Sequence, residues 1–431
     1  MGRIGGSRET RRDKLRETRR DEPREARRDE LREARWLTRA RIVGFGQILL
    51  LVQLTVLVLL ALWQHGIIAP EPSKTSSDFV SFYAAGKLAL AGTPALAYDQ
   101  AAHFLMQQRF TVAGAPYQFF FYPPVFLLLF APLAALPYYV AFYLFELGTL
   151  AAFVLVMRAI LREPGWGFVF PALAFPAIFW GLGVGQNAFL TASLFGSFTL
   201  LLSRRPGLAG AMLGLMCYKP HFGLLAPIAL LCGGHWRAFL AAGATVLALT
   251  AASAALFGAE TWQAYLTAFA ASDSVYASGR IDFAGMVTPF GAARLLGFGP
   301  SSAYTIQAVV SVAMAAAIGT IWREERRSGL RMAALLAATL LAVPMALLYD
   351  QLLLLVAIGW LVREGRARGF LPWEKTMLAA VWPVSLAMWV VGSAWGVPVG
   401  PVLSALVLGL SLRRMRWEER ARVAGLLVPA H

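Results

Sequence analysis

Ile42–Gln64 reads IVGFGQILLLVQLTVLVLLALWQ, 23 residues without a charge. As a helix this run is ~35 Å long, enough to cross a hydrocarbon core of ~30 Å. It is too long for the apolar segment of a cleavable signal peptide, so the expectation is a spanning helix and no signal. Further apolar runs follow at roughly 119–136, 139–161, 166–182, 187–203, 207–218, 221–232, 236–257, 302–322, 331–348, 351–362, 376–395 and 397–412. The class this predicts is all-α: a polytopic membrane protein of about 11–13 transmembrane segments with loop helices outside the membrane. Several runs are shorter than 17 residues and can lie at membrane depth only if neighbouring helices bury their ends.

Charge is distributed to match. Of 63 charged residues in 431, 24 lie in residues 1–41, leaving 39 for the other 390. A soluble domain that size needs roughly a quarter of its residues charged, which excludes a soluble enzyme. The net charge of +15 is no nucleic-acid signature, because six of those charges are in the tail and most of the rest sit in short turns between apolar runs. Turns at Arg158/Arg162, Arg204/Arg205, Arg237, Arg323–Arg331, Arg363–Lys375 and Arg413–Arg422 are read as cytoplasmic. Residues 65–118 and 258–300, and the turns at 183–187, 219–221 and 349–351, then fall outside. One stretch breaks the count. An odd number of crossings must separate Tyr117 from Arg158, yet two apolar runs lie between them; either one run dips in and returns, or Arg158 and Arg162 lie outside.

Residues 1–41 form an octad repeat, RETRRDKL at Arg8–Leu15, RETRRDEP at Arg16–Pro23 and REARRDEL at Arg24–Leu31. With almost nothing apolar to bury, it is expected to be a disordered or solvated-helical cytoplasmic tail; 413–431 forms a second one. Cys217 and Cys232 lie in apolar stretches and read as buried small hydrophobes.

Ionisable and amide groups inside a membrane protein cost roughly 2.5–3.5 kcal/mol per charge at the bilayer centre and are functional candidates by default. Once the cytoplasmic turns are set aside, a short list is left, nearly all of it on one side: Asp78, Lys87, Asp99, Arg109, Gln186, Asn187, Lys219, His221, Asp273, Arg280, Asp282, Tyr349 and Asp350. Asp78 opens a helical pattern with Ser77 as N-cap and Phe79, Phe82, Gly86 and Leu90 on one face, expected to lie along the membrane surface. There it is either a first-turn charge on the helix dipole or a catalytic carboxylate. Lys219 and His221 either bind a phosphate or snorkel to the interface. Gln186-Asn187 either hydrogen-bonds a sugar or completes a turn, and Tyr349-Asp350 is either a cap or a ligand. No histidine spacing suits a metal, and no nucleotide-binding loop or hydrolase motif is present.

The ordered set Asp78-Phe-Val-Ser-Phe-Tyr83, Gly92-Thr-Pro94, Tyr98-Asp99, Phe121-Tyr-Pro-Pro-Val-Phe126 and Ala131-Pro132-Leu133, then Gly185-Gln186-Asn187, Lys219-Pro220 and Tyr349-Asp350, resembles the family 87 glycosyltransferases. These are GT-C-type membrane enzymes that include polyprenol-phosphate-mannose-dependent mannosyltransferases. The resemblance runs from about 42 to 412 and implies one transmembrane glycosyltransferase domain there. It implies an inverting transfer of a hexose, mannose above others, from a polyprenyl-phosphate sugar to an extracytoplasmic glycolipid or glycan at a bacterial inner membrane. By the same resemblance Asp78 is the base, and Lys219, His221 and Arg280 contact the donor phosphate. Tyr83, Tyr122, Gln186, Asn187, Tyr349 and Asp350 contact sugar or acceptor. Neither metal nor cofactor is implied, because cationic side chains can stabilise the leaving phosphate. A competing class is a transporter or flippase of lipid-linked saccharides, which predicts inverted repeats and midplane polar groups; no convincing repeat is visible.

Overall fold

The computed structural model describes residues 29–64, 77–163, 165–271, 282–324 and 328–424. Within them the chain is helical, with no strand and one isolated antiparallel bridge between Met286 and Leu347. Among the described residues five helices are long and apolar enough to cross a membrane: α1 (Arg39–Gln64), α5 (Tyr138–Leu161), α11 (Trp236–Phe257), α14 (Pro300–Glu324) and α17 (Glu374–Trp395). This is an all-α polytopic membrane protein. The outer face of α11 is almost wholly uncovered by protein, as expected where lipid supplies the apolar environment.

The shorter apolar helices form the interior. Among them are α7 (Pro176–Val184), α8 (Ala188–Leu201), α9 (Pro206–Gly214), α10 (Ala226–Cys232), α15 (Ser328–Ala342) and α16 (Leu352–Arg368). Every side chain from Leu352 to Ile358 is at most 2% exposed. A helix apolar on all sides must be covered on all sides, and α5, α8, α15 and α18 (Gly400–Val423) cover α16.

The crossing count resolves. The run at 119–136 does not form a span: it gives a short turn at Pro124–Phe126 and the eight-residue α4 (Leu127–Ala134), far too short to cross. It packs instead on α2 (Phe79–Leu90), where a Cβ on Gly86 would collide with the Phe130 carbonyl. Only α5 crosses between Tyr117 and Arg158.

The helix at Asp78 was expected to lie on a surface with one apolar face. In the fold α2 is buried on both faces through Leu88, and only its end, Leu90, is exposed. One side meets Phe126, Phe130, Tyr138, Phe142 and Phe145 in an aromatic cluster with ring centroids ~5–6 Å apart. The other side is closed by α3 (Gln100–Gln107) and the segment after it: Ser81 Oγ donates to Phe119 O at 2.9 Å, and His103 bridges Ser81 O at 2.9 Å and the Tyr117 hydroxyl at 3.1 Å. Burial pushes the His103 imidazole down to about 4, so it is neutral and can serve as donor and acceptor at once.

At the opposite end of α5, α16 and α18 is an ion network. Glu163 binds Arg39 at 3.0 Å and Arg366 at 2.7 Å, and the fully buried Arg414 is held by both oxygens of Glu374 at 2.9 and 2.8 Å. The last residues of the basic tail dock at this end, where Trp373 N–H donates to Arg32 O and Ala34 is 1% exposed. Residues 1–28 lie outside the described residues.

Candidate active site

Five chain breaks converge at one end of the bundle: the start of α2, the α7–α8 turn, the Tyr218–Pro220 break, the Leu348–Gln351 turn before α16, and the Tyr122–Pro124 segment before α4. Each break sets free backbone and side-chain polar groups, which are tolerable at depth only when buried in protein or facing a cavity.

The α7–α8 turn positions Asp78. Gly185 caps α7 at φ +69°, a conformation unfavourable for residues with a Cβ, and its Cβ position is filled by Ser77. The freed Val184 carbonyl accepts from Asp78 N–H at 2.7 Å and from Ser77 Oγ at 2.9 Å. The backbone of Asp78 is thereby fixed to the end of α7. Its carboxylate makes no capping bond to α2; Oδ2 accepts from Gln186 Nε2 at 2.7 Å. The Gln186 amide orientation follows from its other partners, since Oε1 accepts from Asn187 N–H at 3.3 Å and from the Tyr122 hydroxyl at 3.5 Å. Oδ1 of Asp78 accepts no hydrogen bond from any described residue. Asp78 itself is partly exposed. Burial of the carboxyl raises it to about 6, against the opposing pull of the Gln186 hydrogen bond and the Lys219 charge.

Lys219 is not snorkelling. It is 6% exposed, and its Nζ binds Asp350 Oδ1 at 3.0 Å over the rings of Phe222 and Tyr349. Asp350 acts as a cap, because Oδ2 accepts from Leu347 N–H at 3.0 Å, while Oδ1 holds Lys219. His221 stands beside this pair; burial first, then the Lys219 charge, push its imidazole down to about 3, so it is a neutral hydrogen-bonding group at pH 7. Asn187 is completely buried beside Tyr122, and neither its amide nitrogen nor its oxygen has a well-formed hydrogen bond. An orphaned carboxamide of that kind calls for a partner.

Thus Asp78, Tyr122, Gln186, Asn187, Lys219, His221, Tyr349 and Asp350, scattered over 273 residues, meet at one place. Tyr83 does not join them: its hydroxyl donates to Leu136 O at 2.8 Å and its ring packs on Phe110 and Tyr138. Arg280 and Asp273 lie outside the described residues. Asp99 caps α3 through Ala102 N–H, and Asp282 caps Ala284 and accepts from Trp389 Nε1. Sequence reading missed Tyr218, whose hydroxyl pairs with Thr191 Oγ1 at 2.8 Å and whose ring stacks under Tyr122 and Phe126; its place directly before Lys219 was the available signal.

A spanning bundle that gathers a carboxylate, an amide pair and a buried lysine at one end has the construction of an integral membrane enzyme. The model of glycosyltransferase family 87 matches residues 120–349, just over half the chain, and the chain belongs to that family. It is therefore a glycosyltransferase. The matched span starts at Phe120 and holds all the clustered residues except Asp78 and Asp350. Searches of curated proteins and of solved structures return no match.

Proposed function

We propose that this glycosyltransferase is an inverting, GT-C-like enzyme with Asp78 as general base. It takes a hexose, in our reading mannose, from a polyprenyl-phosphate donor and delivers it to a glycolipid or glycan at the outer face of a bacterial inner membrane. The observation that carries the reading is the Asp78 carboxylate: Gln186 holds one oxygen, the other accepts from no donor among the described residues, and the Lys219 ammonium is close enough to act on it.

In the proposed reaction the acceptor hydroxyl oxygen attacks the anomeric carbon from the face opposite the phosphate. The carbon–oxygen bond to phosphate breaks with its electron pair, and the hydroxyl proton passes to Asp78. A phosphate leaving group needs no strong general acid, unlike the alcohol a glycosidase expels with its second carboxyl. It does need donors. Lys219 is the charged one, and Asp350 already holds it in place; neutral His221 adds a hydrogen bond, and Arg280 is carried as a third donor by the family resemblance. Tyr122, Gln186, Asn187, Tyr349 and Asp350 would meet sugar or acceptor hydroxyls, whereas the buried position of Tyr83 gives its assignment no support. Placing the arginine-rich end in the cytoplasm puts the Asp78 end outside.

The test is Asp78→Asn, which preserves size and the Gln186 contact but removes the base. Turnover of a polyprenyl-phosphate sugar in detergent should fall by at least ~10²-fold, the low end of general-base contributions. Detergent abolishes compartments, so consumption there also separates transfer from transport. Near wild-type turnover by folded Asp78→Asn protein would overturn the assignment.

A further inference from the structure

A second polar feature lies at the other end of the bundle, far from Asp78. Between the end of α5 and the last turns of α16 is a hollow of about 410 Å³ lined by Leu161, Arg162, Arg363, Glu364, Arg366 and Arg368. Two of its cations are neutralised: Arg366 binds Glu163 at 2.7 Å, and Arg368 lies between Glu364 at 3.7 Å and Glu418 at 3.5 Å. Arg162 and Arg363 meet no carboxylate within 4 Å among the described residues. Arg363 is nonetheless held in one orientation, stacked 4.8 Å over Trp360 and donating to Ile160 O at 3.5 Å. Arg162 bears on it as a like charge, more strongly than Glu364 favours it, and Arg204 outside the hollow adds a weaker repulsion.

The bland account is that these arginines only complement the C-terminal carbonyls of α5. It covers Arg363 and Arg366, which donate to Ile160 O and Leu161 O. It does not cover Arg162, which ends α5 in a left-handed conformation at φ +50°, a cost of roughly 1 kcal/mol for a residue with a Cβ. Nor does it explain a concave site where the Arg162 and Arg363 guanidinium groups act on each other as like charges. An anion with several acceptor oxygens would satisfy both, and guanidinium groups bind phosphate oxygens in pairs. The hollow opens where spanning helices end, the depth of lipid headgroups, and basic pockets between such helices on the cytoplasmic side suit anionic lipid.

We propose that this hollow is a binding site for the headgroup phosphate of an anionic phospholipid. The apolar wall at Leu161 would carry the start of the acyl region. The site is separate from the Asp78 cluster and does not depend on the role given to it.

The test is native mass spectrometry of the full-length protein in detergent, titrated with phosphatidylglycerol, with phosphatidylcholine as the neutral comparison. Arg162→Asn/Arg363→Gln removes the two unpaired cations, asparagine being tolerant of the left-handed conformation. Arg237→Gln/Arg323→Gln removes as much charge from other basic turns at the same end. Retention of phosphatidylglycerol should weaken at least tenfold in the first variant and change less than twofold in the second. Arg162→Asn alone, the milder change, should still weaken it severalfold if the double variant fails to fold. Equal loss in both double variants would mean diffuse attraction and overturn the site, as would no loss in either. Full displacement of the lipid by millimolar inorganic phosphate would overturn the lipid assignment in favour of a soluble phosphate ligand.

Discussion

Gln186→Met tests the tuning of the proposed base more finely than removing the base itself. Methionine keeps the volume of glutamine without its donor, so the packing between Asp78 and Tyr122 stays filled. The lost contact is a 2.7 Å N–H donation to a carboxylate oxygen. Hydrogen bonds to charged groups contribute about 1.5–3 kcal/mol, which corresponds to about 1–2 pKa units at 1.36 kcal/mol per unit. In the wild-type protein Asp78 sits at about 6, so a base there is ~90% ionised at pH 7. In the variant the midpoint moves up to ~7–8 and the ionised fraction at pH 7 drops to ~10–50%. The ascending limb of kcat/KM against pH should therefore move up by one to two units, with full recovery above pH 9. The assay is consumption of a polyprenyl-phosphate sugar by solubilised protein supplied with total lipid extract. A Gln186 role confined to sugar binding would lower kcat/KM equally at every pH. An unmoved limb would refute the reasoning. The stability sign runs the other way: a carboxyl raised from 3.8 to about 6 stabilises the fold fully below pH 3.8, and that contribution is lost as the pH rises through about 6. Activity should thus appear in the same window in which the fold loses stability.

Breaking the Lys219–Asp350 pair with Lys219→Met strands a buried carboxylate and should cost ~3–5 kcal/mol, seen as a lower Tm, while Lys219→Met/Asp350→Leu recovers at least half of the loss. Arg414→Met strands Glu374 at the other end of the bundle and should lower Tm by a comparable amount, again from ~3–5 kcal/mol, with the turnover of the folded fraction unchanged. For sidedness, Ala113→Cys and Arg205→Cys in a Cys217→Ser/Cys232→Ser background should label oppositely with an impermeant thiol reagent in intact spheroplasts, Ala113→Cys reacting and Arg205→Cys protected until lysis. The reverse pattern would invert the proposed topology.

The membrane class was legible because it rests on composition, which no packing can override: 39 charges cannot cover 390 residues in water. The clustered site residues were legible for a related reason, since a polar group inside an apolar run is costly enough to stand out singly. What stayed hidden were choices made by packing. The run at 119–136 has the composition of a span, and only the fit of Phe130 against Gly86 turns it into a short helix folded on α2. Tyr83 carries the same chemistry as Tyr122, but the Leu136 carbonyl happens to satisfy it. At Asp350 the capping bond is visible, but its pairing with a lysine 131 residues away is again a choice made by packing.

The site also raises a question of energetics. Replacing a buried ion pair by apolar residues of similar volume is often neutral or stabilising by ~1–4 kcal/mol, and Lys219 and Asp350 are each nearly inaccessible. A fold selected for stability alone would gain nothing from them, nor from an Asn187 carboxamide with no well-formed hydrogen bond. The cost of breaking helices points the same way. α8 and α16 are only ~21 and ~25 Å long, and both begin at this cluster rather than short of it on the far side, where α16 runs on into the arginine-rich end. The breaks before α8 and α16 and at Tyr218–Pro220 thus gather at the end that holds the Asp78 cluster. At the Asp78 end a buried ion pair, a broken backbone and an under-satisfied amide fall together on one cluster, which is what a bound polar ligand would use.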